Sequence, residues 1–325
     1  MKAYKGFDKD LKCKDFQYEI GKTYEEPTAE LCEKGFHACE MPLDVFSYYA
    51  PGNMSRYCEV DLEEVSGEKS SDTKRCGKKI AVKAEIGITG LVKAAVDFVM
   101  ENIKDENKEA NTGNGSASTN TGFRSASTNT GNYSASTNTG NYSASTNTGD
   151  YSASTNTGDY SASTNTGFRS ASTNTGDYSA STNTDNGSAS TNTGDYSAST
   201  NTGNYSASTN TGNGSASTNT GDYSASTNTG NYSASTNTGF RSASTNTGDY
   251  SKADVSGKES VAAALGIESK AKGVLGCWLV LAEWAKDENH NWHRKDVQCF
   301  KVDGESIKPD TWYTLKDGRP VEVDE

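Results

Sequence analysis

The sequence predicts an α+β N-terminal domain, a β-solenoid with two nonapeptides per ~18-residue coil, and a small C-terminal β cap. Three observations predict it. The nonapeptide Ser-Ala-Ser-Thr-Asn-Thr-Gly-x-x runs fifteen times without a slip in spacing from Ser116 to Tyr250. The residues before it mix strand-like and helix-like apolar spacing. The residues after Val274 are apolar runs separated by Asp-Gly turns. The expected divisions are 1–109 for the head, 110–273 for the solenoid and 274–325 for the cap.

In the head, Lys2 to Gly6, Gly35 to Cys39, Arg56 to Val65 and Lys79 to Ile86 read as strands. Tyr18 to Tyr24 is an extended piece that turns at Gly21. Pro42 suits the first turn of a helix through Tyr49, which Pro51-Gly52 ends. Thr89 caps a second helix from Gly90 to Lys104, with Leu91, Ala95, Phe98, Val99 and Ile103 on one face. A charged link, Lys104 to Ala110, leads into the repeat.

A fixed short period marks a solenoid whose coils stack on their neighbours. Each unit supplies one strand, Ser-Ala-Ser-Thr-Asn-Thr, and one corner at Gly-x-x. Gly is expected to give the corner its φ > 0, and the Asp or Asn that often follows tolerates turn geometry. The invariant positions fail once, at Asp185. At ~4.8 Å per rung the rod is roughly 35 Å long. Strand alternation puts Ala117, Thr119 and Thr121 on one face and Ser116, Ser118 and Asn120 on the other. Neither face carries a large apolar residue, so the interior must be narrow and filled by hydrogen-bonded ladders. Ser118 and Asn120 are expected inward. Thr119, Thr121, Thr128, Thr130, Thr137 and Thr139 are expected outward as a repeating surface. Tyr133, Tyr142, Tyr151 and Tyr160 are expected to stack at alternate units as aromatic ladders. So polar a tract is also compatible with a disordered spacer. The strict register, the spaced aromatics and the absence of Pro favour an ordered coil.

The C-terminal region reads as a meander of strands at Leu275–Trp284, Val297–Val302, Trp312–Leu315 and Pro320–Val323, with a polar loop at Asp287–Asn291. Trp278, Trp284, Trp292 and Trp312 are its expected core. The net charge of −12 argues against nucleic-acid wrapping. The N-terminus lacks the apolar stretch of a signal peptide, and Val274–Ala285 is too short to span a bilayer. Seven cysteines without regular spacing read as reduced thiols, and a cytoplasmic location in the producing cell is expected. Neither Cys32, His37 and Cys39 nor His290, His293 and Cys299 has paired metal-ligand spacing, so no metal or other cofactor is expected.

Several stretches resemble known families. Ala3-Tyr4-Lys5-Gly6-Phe7, Gly35-Phe36-His37-Ala38-Cys39, Pro42-Leu43-Asp44-Val45, Tyr48-Tyr49 and Tyr57-Cys58-Glu59-Val60 with Gly67 resemble an uncharacterised domain of phage and prophage proteins. That resemblance implies a virion-associated alternative location and assigns no activity. The order of these elements also looks like that of ADP-ribosyltransferases, which hold NAD with an Arg or His where Lys5 stands; His37 is the other candidate. Lys5 departs from that pattern, so the resemblance implies the fold without activity. Gly257 to Gly273 resembles one coil of the β-roll heads of trimeric autotransporter adhesins. Thr119-Asn120-Thr121 is similar to the Thr-x-Thr elements of ice-nucleation proteins, which implies an ice-binding alternative. The nonapeptide of calcium-binding RTX proteins is a poorer match, because this unit has one Gly and Asp in fewer than half its copies. The leading expectation is a non-enzymatic structural protein that meets an unknown protein or surface partner, with no nucleic acid and no membrane, and with a homo-oligomer as an option.

Overall fold

The computed structural model describes residues 1–67, 70, 72–101 and 108–324. Its head contains β1 (Lys2–Phe7), β2 (Lys12–Cys13), β3 (Phe16–Gln17), β4 (Thr23–Glu25), β5 (Phe36–Cys39), β6 (Arg56–Val65), β7 (Lys74–Glu85) and α1 (Gly87–Glu101). Five strands run in the order β4-β7-β5-β1-β6, and β7 also pairs with β6, which closes the sheet into a small barrel. The twelve residues of β7 reach three partners. Gly77 pairs with both Phe36 and Val65, and a Cβ there would lie 2.6 Å from the Glu63 carbonyl oxygen. Ala3, Phe7, Tyr18, Phe36, Val60 and Ile80 fill the barrel.

Two head segments differ from expectation. The segment after Met41 forms two 3-10 helices, Pro42–Ser47 and Pro51–Asn53, rather than one α-helix. Pro51 forces Ala50 out of the helical region, to ψ 142°. The second expected helix begins at Gly87; the end expected at Lys104, and the link from Lys104 as far as 107, lie outside the described residues.

Every repeat unit forms one four-residue strand, Ala-Ser-Thr-Asn, that pairs in parallel with the strand eighteen residues away, as Ala126 does with Ala144 and Asn129 with Asn147. Successive units alternate between two facing sheets of twelve and eleven strands. We name these the covered and the open sheet. The interior is a hydrogen-bond ladder in place of an apolar core. At one rung, Ser172 Oγ donates to Asn183 Oδ1 at 2.8 Å, and Asn183 Nδ2 donates to the Ala189 carbonyl at 2.7 Å and to Ser190 Oγ at 2.9 Å. Ser190 Oγ passes the chain on to Asn201 Oδ1 at 2.7 Å. Ser and Asn are therefore the inward residues, and Asn183 is fully buried.

The corners work differently from the expectation. The invariant Gly does not take positive φ; the last residue of the unit does, as at Tyr133 (57°), Tyr160 (56°) and Arg169 (53°). Gly suits this position because the rungs stack closely: a Cβ on Gly194 would lie 2.2 Å from the Gly176 carbonyl oxygen, and Asp185 is the one residue of the fifteen units that brings a side chain there. The Asn or Asp between them binds rung to rung, as Asp159 Oδ1 accepts from the Asp177 N–H at 3.0 Å. Phe168 has no such acceptor. One rung on, Asp185 supplies it, accepting from the Asn186 N–H at 2.7 Å.

The head lies along the side of the rod. Val99 of α1 packs on Ala126, Ala144 and Ala162, while Leu91, Val92 and Ala95 share a cluster with Ala180, Ala198 and Ala216. A fifteen-residue helix is about 22 Å long, or four to five rungs at ~4.8 Å. Ala in the outward strand position lets the helix approach. Ser47 Oγ shares a hydrogen bond with Tyr178 OH at 2.7 Å, and the Gly52 N–H donates to the Tyr232 carbonyl at 3.1 Å.

At the far end, Trp278–Lys286 pairs in parallel with the last open-sheet rung and turns back on Trp292–Lys301; Tyr313–Lys316 and Arg319–Glu322 close the covered sheet. Here the polar ladder gives way to Leu279, Leu281, Val302, Ile307, Tyr313 and Leu315. The expected four-tryptophan core is corrected: only Trp312 is buried, and Trp278 and Trp292 are each 43% exposed. Trp278 is in register with Val261 and Ala243, so it occupies an outward position of the open sheet.

Candidate functional site

The repeat surface is not uniform. Thr119, Thr121, Thr137 and Thr139 stand on the open sheet, whereas Thr128 and Thr130 belong to the covered one. Thr121, Thr130 and Thr139, which follow the strands directly, are exposed, as is Thr119; Thr128 and Thr137 are half-buried. Along α1 the covered sheet is occluded, to the point that Thr200 is buried. On the open sheet Ala117, Ala135, Ala153, Ala171, Ala189, Ala207 and Ala225 are all exposed. Each open rung thus presents Ala, Thr and Thr two residues apart along the strand, repeated in register from coil to coil. Identical units acquire two environments because only one sheet meets the apolar stripe of α1.

The tyrosines form two columns. Tyr142, Tyr160, Tyr178 and Tyr196 stack continuously at 4.8–5.2 Å, and this column faces the head. Tyr133 stacks on Tyr151 at 5.1 Å in the second column, where Arg169 and Gly187 then interrupt the series. Phe168 caps Tyr151 edge-on at 5.9 Å. Burial pushes the Tyr142 and Tyr160 phenols above their ordinary range, and the neighbouring Asp44 adds to the effect. The first column therefore serves as a docking strip for the head, and the second faces solvent, with Tyr133 and Tyr205 each 67% exposed.

A second site lies in the head. A cavity of about 710 Å³ opens between β1, β5 and the loop around Cys32. Lys5 is buried at its wall, because β1 is covered on both faces from Ala3 to Phe7. Its Nζ donates to the His37 carbonyl at 2.8 Å and touches Cys13 Sγ at 3.6 Å. The same Nζ lies 5.6 Å from the ring centres of Phe7 and Tyr18. Burial pulls the Lys5 ammonium below its ordinary range. The His37 ring turns elsewhere: its Nε2 accepts the Cys32 N–H at 2.8 Å, and burial with nearby Lys5 and Lys74 holds it neutral. Lys5 and His37 are thus brought together through a backbone carbonyl, with the imidazole in a structural role. Phe16, Tyr18, Tyr24 and Phe36 pack edge to face as an aromatic wall. Sequence reasoning named Lys5 and His37 and missed this wall, whose aromatics are dispersed over three short strands and a loop.

Residues 1–94 match the family model described as a domain of unknown function, DUF7666. The head is the part of the chain this match covers, and a β-solenoid follows it. No curated protein and no solved structure matches the chain. The described residues include no group of His, Cys, Asp and Glu able to hold a metal ion, and no helix long and apolar enough to cross a membrane.

Proposed function

We propose that the chain is a non-enzymatic scaffold, in a phage or prophage setting, that presents the open solenoid sheet to a protein or surface partner. It would work in the cytoplasm of the producing cell or on the virion. The observation that supports this reading is the asymmetry of the two sheets: the same unit is occluded along α1 on one side and bare on the other. A flat array of Ala and Thr at rung spacing contacts a broad partner with little rearrangement, because its backbone is already paired. The test compares a Thr155→Lys, Thr173→Lys, Thr191→Lys triple variant with a control triple at the exposed Thr148, Thr166 and Thr184 of the covered sheet. Binding to phage particles and to producing cells is measured by sedimentation. Loss confined to the open-sheet triple supports the reading; equal behaviour of both triples refutes it.

The second reading is ice binding by the same array. It is favoured by the in-register Thr-x-Thr columns of the open sheet, in which the second Thr of each rung is exposed and the first, from Thr137 on, is half-buried. Thermal hysteresis and ice shaping are its assays, and a parent chain inactive in both ends it.

A further inference from the structure

We infer that the head cavity binds a flat aromatic mono-anion, with its carboxylate on Lys5 and its ring against the wall of Phe16 and Tyr18. This inference is independent of the scaffold reading. Lys5 is 6% exposed, and among the described residues no carboxylate forms an ion pair with it. Its polar partners are a backbone carbonyl and a thiol sulfur. A buried ammonium without a counter-charge is costly, and side chains of this kind are ordinarily paired. Here the missing partner faces a cavity large enough for a small molecule.

The charge of the ligand follows from the donors. Two of the three Nζ hydrogens point to the His37 carbonyl and Cys13, which leaves one for a ligand. One hydrogen bond on one cation suits a single carboxylate. Lys14, Lys34 and Lys74 also line the cavity and are matched in number by Asp15, Glu26 and Glu33, which leaves Lys5 as the one cation in excess and disfavours a more highly charged group. The body of the ligand follows from the wall. Phe16 is 41% exposed at the lip, with its ring 4.7 Å from that of Tyr18. An inserted ring completes this edge-to-face cluster and covers Phe16. The ammonium that burial disfavours is restored by the anion, so binding and protonation of Lys5 reinforce each other.

The experiment titrates the full chain with 2-naphthoate, read by fluorescence and by calorimetry. The neutral isostere 2-naphthamide and the dianion 2-naphthyl phosphate are the comparators. The expected result is saturable one-to-one binding of naphthoate, at least tenfold tighter than of either comparator. Lys5→Met should weaken naphthoate at least tenfold while leaving naphthamide within threefold. Phe16→Ala, at the exposed lip, should weaken both aromatic ligands. Absence of saturable naphthoate binding, or equal affinity for naphthoate and naphthamide, overturns the inference, and both readings use the unmodified chain. Unchanged naphthoate affinity in a folded Lys5→Met protein overturns the assignment of Lys5.

Discussion

The interior ladder makes a sharp prediction at Asn183. Replacing it with Ala removes one acceptor and two donated hydrogen bonds, at 2.7–2.9 Å, in a fully buried position. Ser190 Oγ keeps its bond to Asn201 and Ser172 Oγ still accepts from Asn165 Nδ2 at 3.0 Å, so three hydrogen bonds are lost while both hydroxyls keep a partner. Each such bond contributes about 0.5–1.5 kcal/mol net, so three of them predict a loss of about 1.5–4.5 kcal/mol. Thr175→Ala, on the exposed end of a neighbouring strand, is the control and should stay within about 0.5 kcal/mol. Asn183→Asp should also destabilise, because the carboxylate still accepts from Ser172 but cannot donate. Chemical denaturation gives the total, and hydrogen exchange gives the location. In a solenoid each rung contacts chiefly its neighbours, so lost protection should centre on the rungs beside Asn183. If Asn183→Ala matches Thr175→Ala, the buried ladder is not what holds the coils together.

Other perturbations probe the remaining contacts. Ala198→Glu puts a charge under α1, where Ala198 is fully buried, and should release the head from the rod; small-angle scattering should show a larger radius of gyration, and an unchanged radius would place the docking energy elsewhere. Tyr205→Ala leaves a residue in the left-handed region and removes the 5.1 Å stack on Tyr223, for a predicted loss of about 1 kcal/mol in thermal unfolding. Asp185→Ala keeps a Cβ in the tight corner but deletes the acceptor for the Asn186 N–H, and should lower stability by about 1–2 kcal/mol. In the cap, Lys295 and the Gly318 N–H hold the Glu283 carboxyl below its ordinary range. A depressed carboxyl contributes its stability at neutral pH and loses it as the pH falls through the folded-state value. Glu283→Gln should therefore weaken the cap at pH 7, and the gap from the parent should close in acid, followed by tryptophan fluorescence.

Much of this architecture was legible in the repeat. The period set the coil, and the absence of bulk on either strand face required a polar interior, which Ser172, Asn183 and Ser190 supply. The alternate stacking of Tyr133 on Tyr151 and of Tyr142 on Tyr160 followed from two units per coil. The corner misled because Gly commonly signals positive φ. Here Gly194 serves a distance between rungs, a quantity that depends on the stacked neighbour and not on the local sequence. Tyrosine takes the left-handed position instead, and ring stacking at 4.8–5.2 Å offsets the strain. Gly187 and Gly214 hold the same position at φ 71° and 64°, so the conformation belongs to the site and the ring is an addition to it.

The division of the rod into a covered and an open sheet could not be read from the repeat, because Ala198 and Ala207 stand in units with the same seven invariant residues. The asymmetry comes from α1. Leu91, Ala95 and Val99 were read as part of one face of a head helix, which left open whether that face closes the head or meets the rod. It meets the rod, and the choice fixes the rest of the surface: a helix about 22 Å long covers four to five rungs of one sheet, while the other sheet and the second tyrosine column remain in contact with water. On the proposed reading, a partner for the repeat meets Ala, Thr and Thr on the open sheet or the rings of Tyr133, Tyr205 and Tyr223 beside it. Lysines introduced at Thr155, Thr173 and Thr191 separate these two routes, because they alter the open sheet and leave the tyrosine column in place.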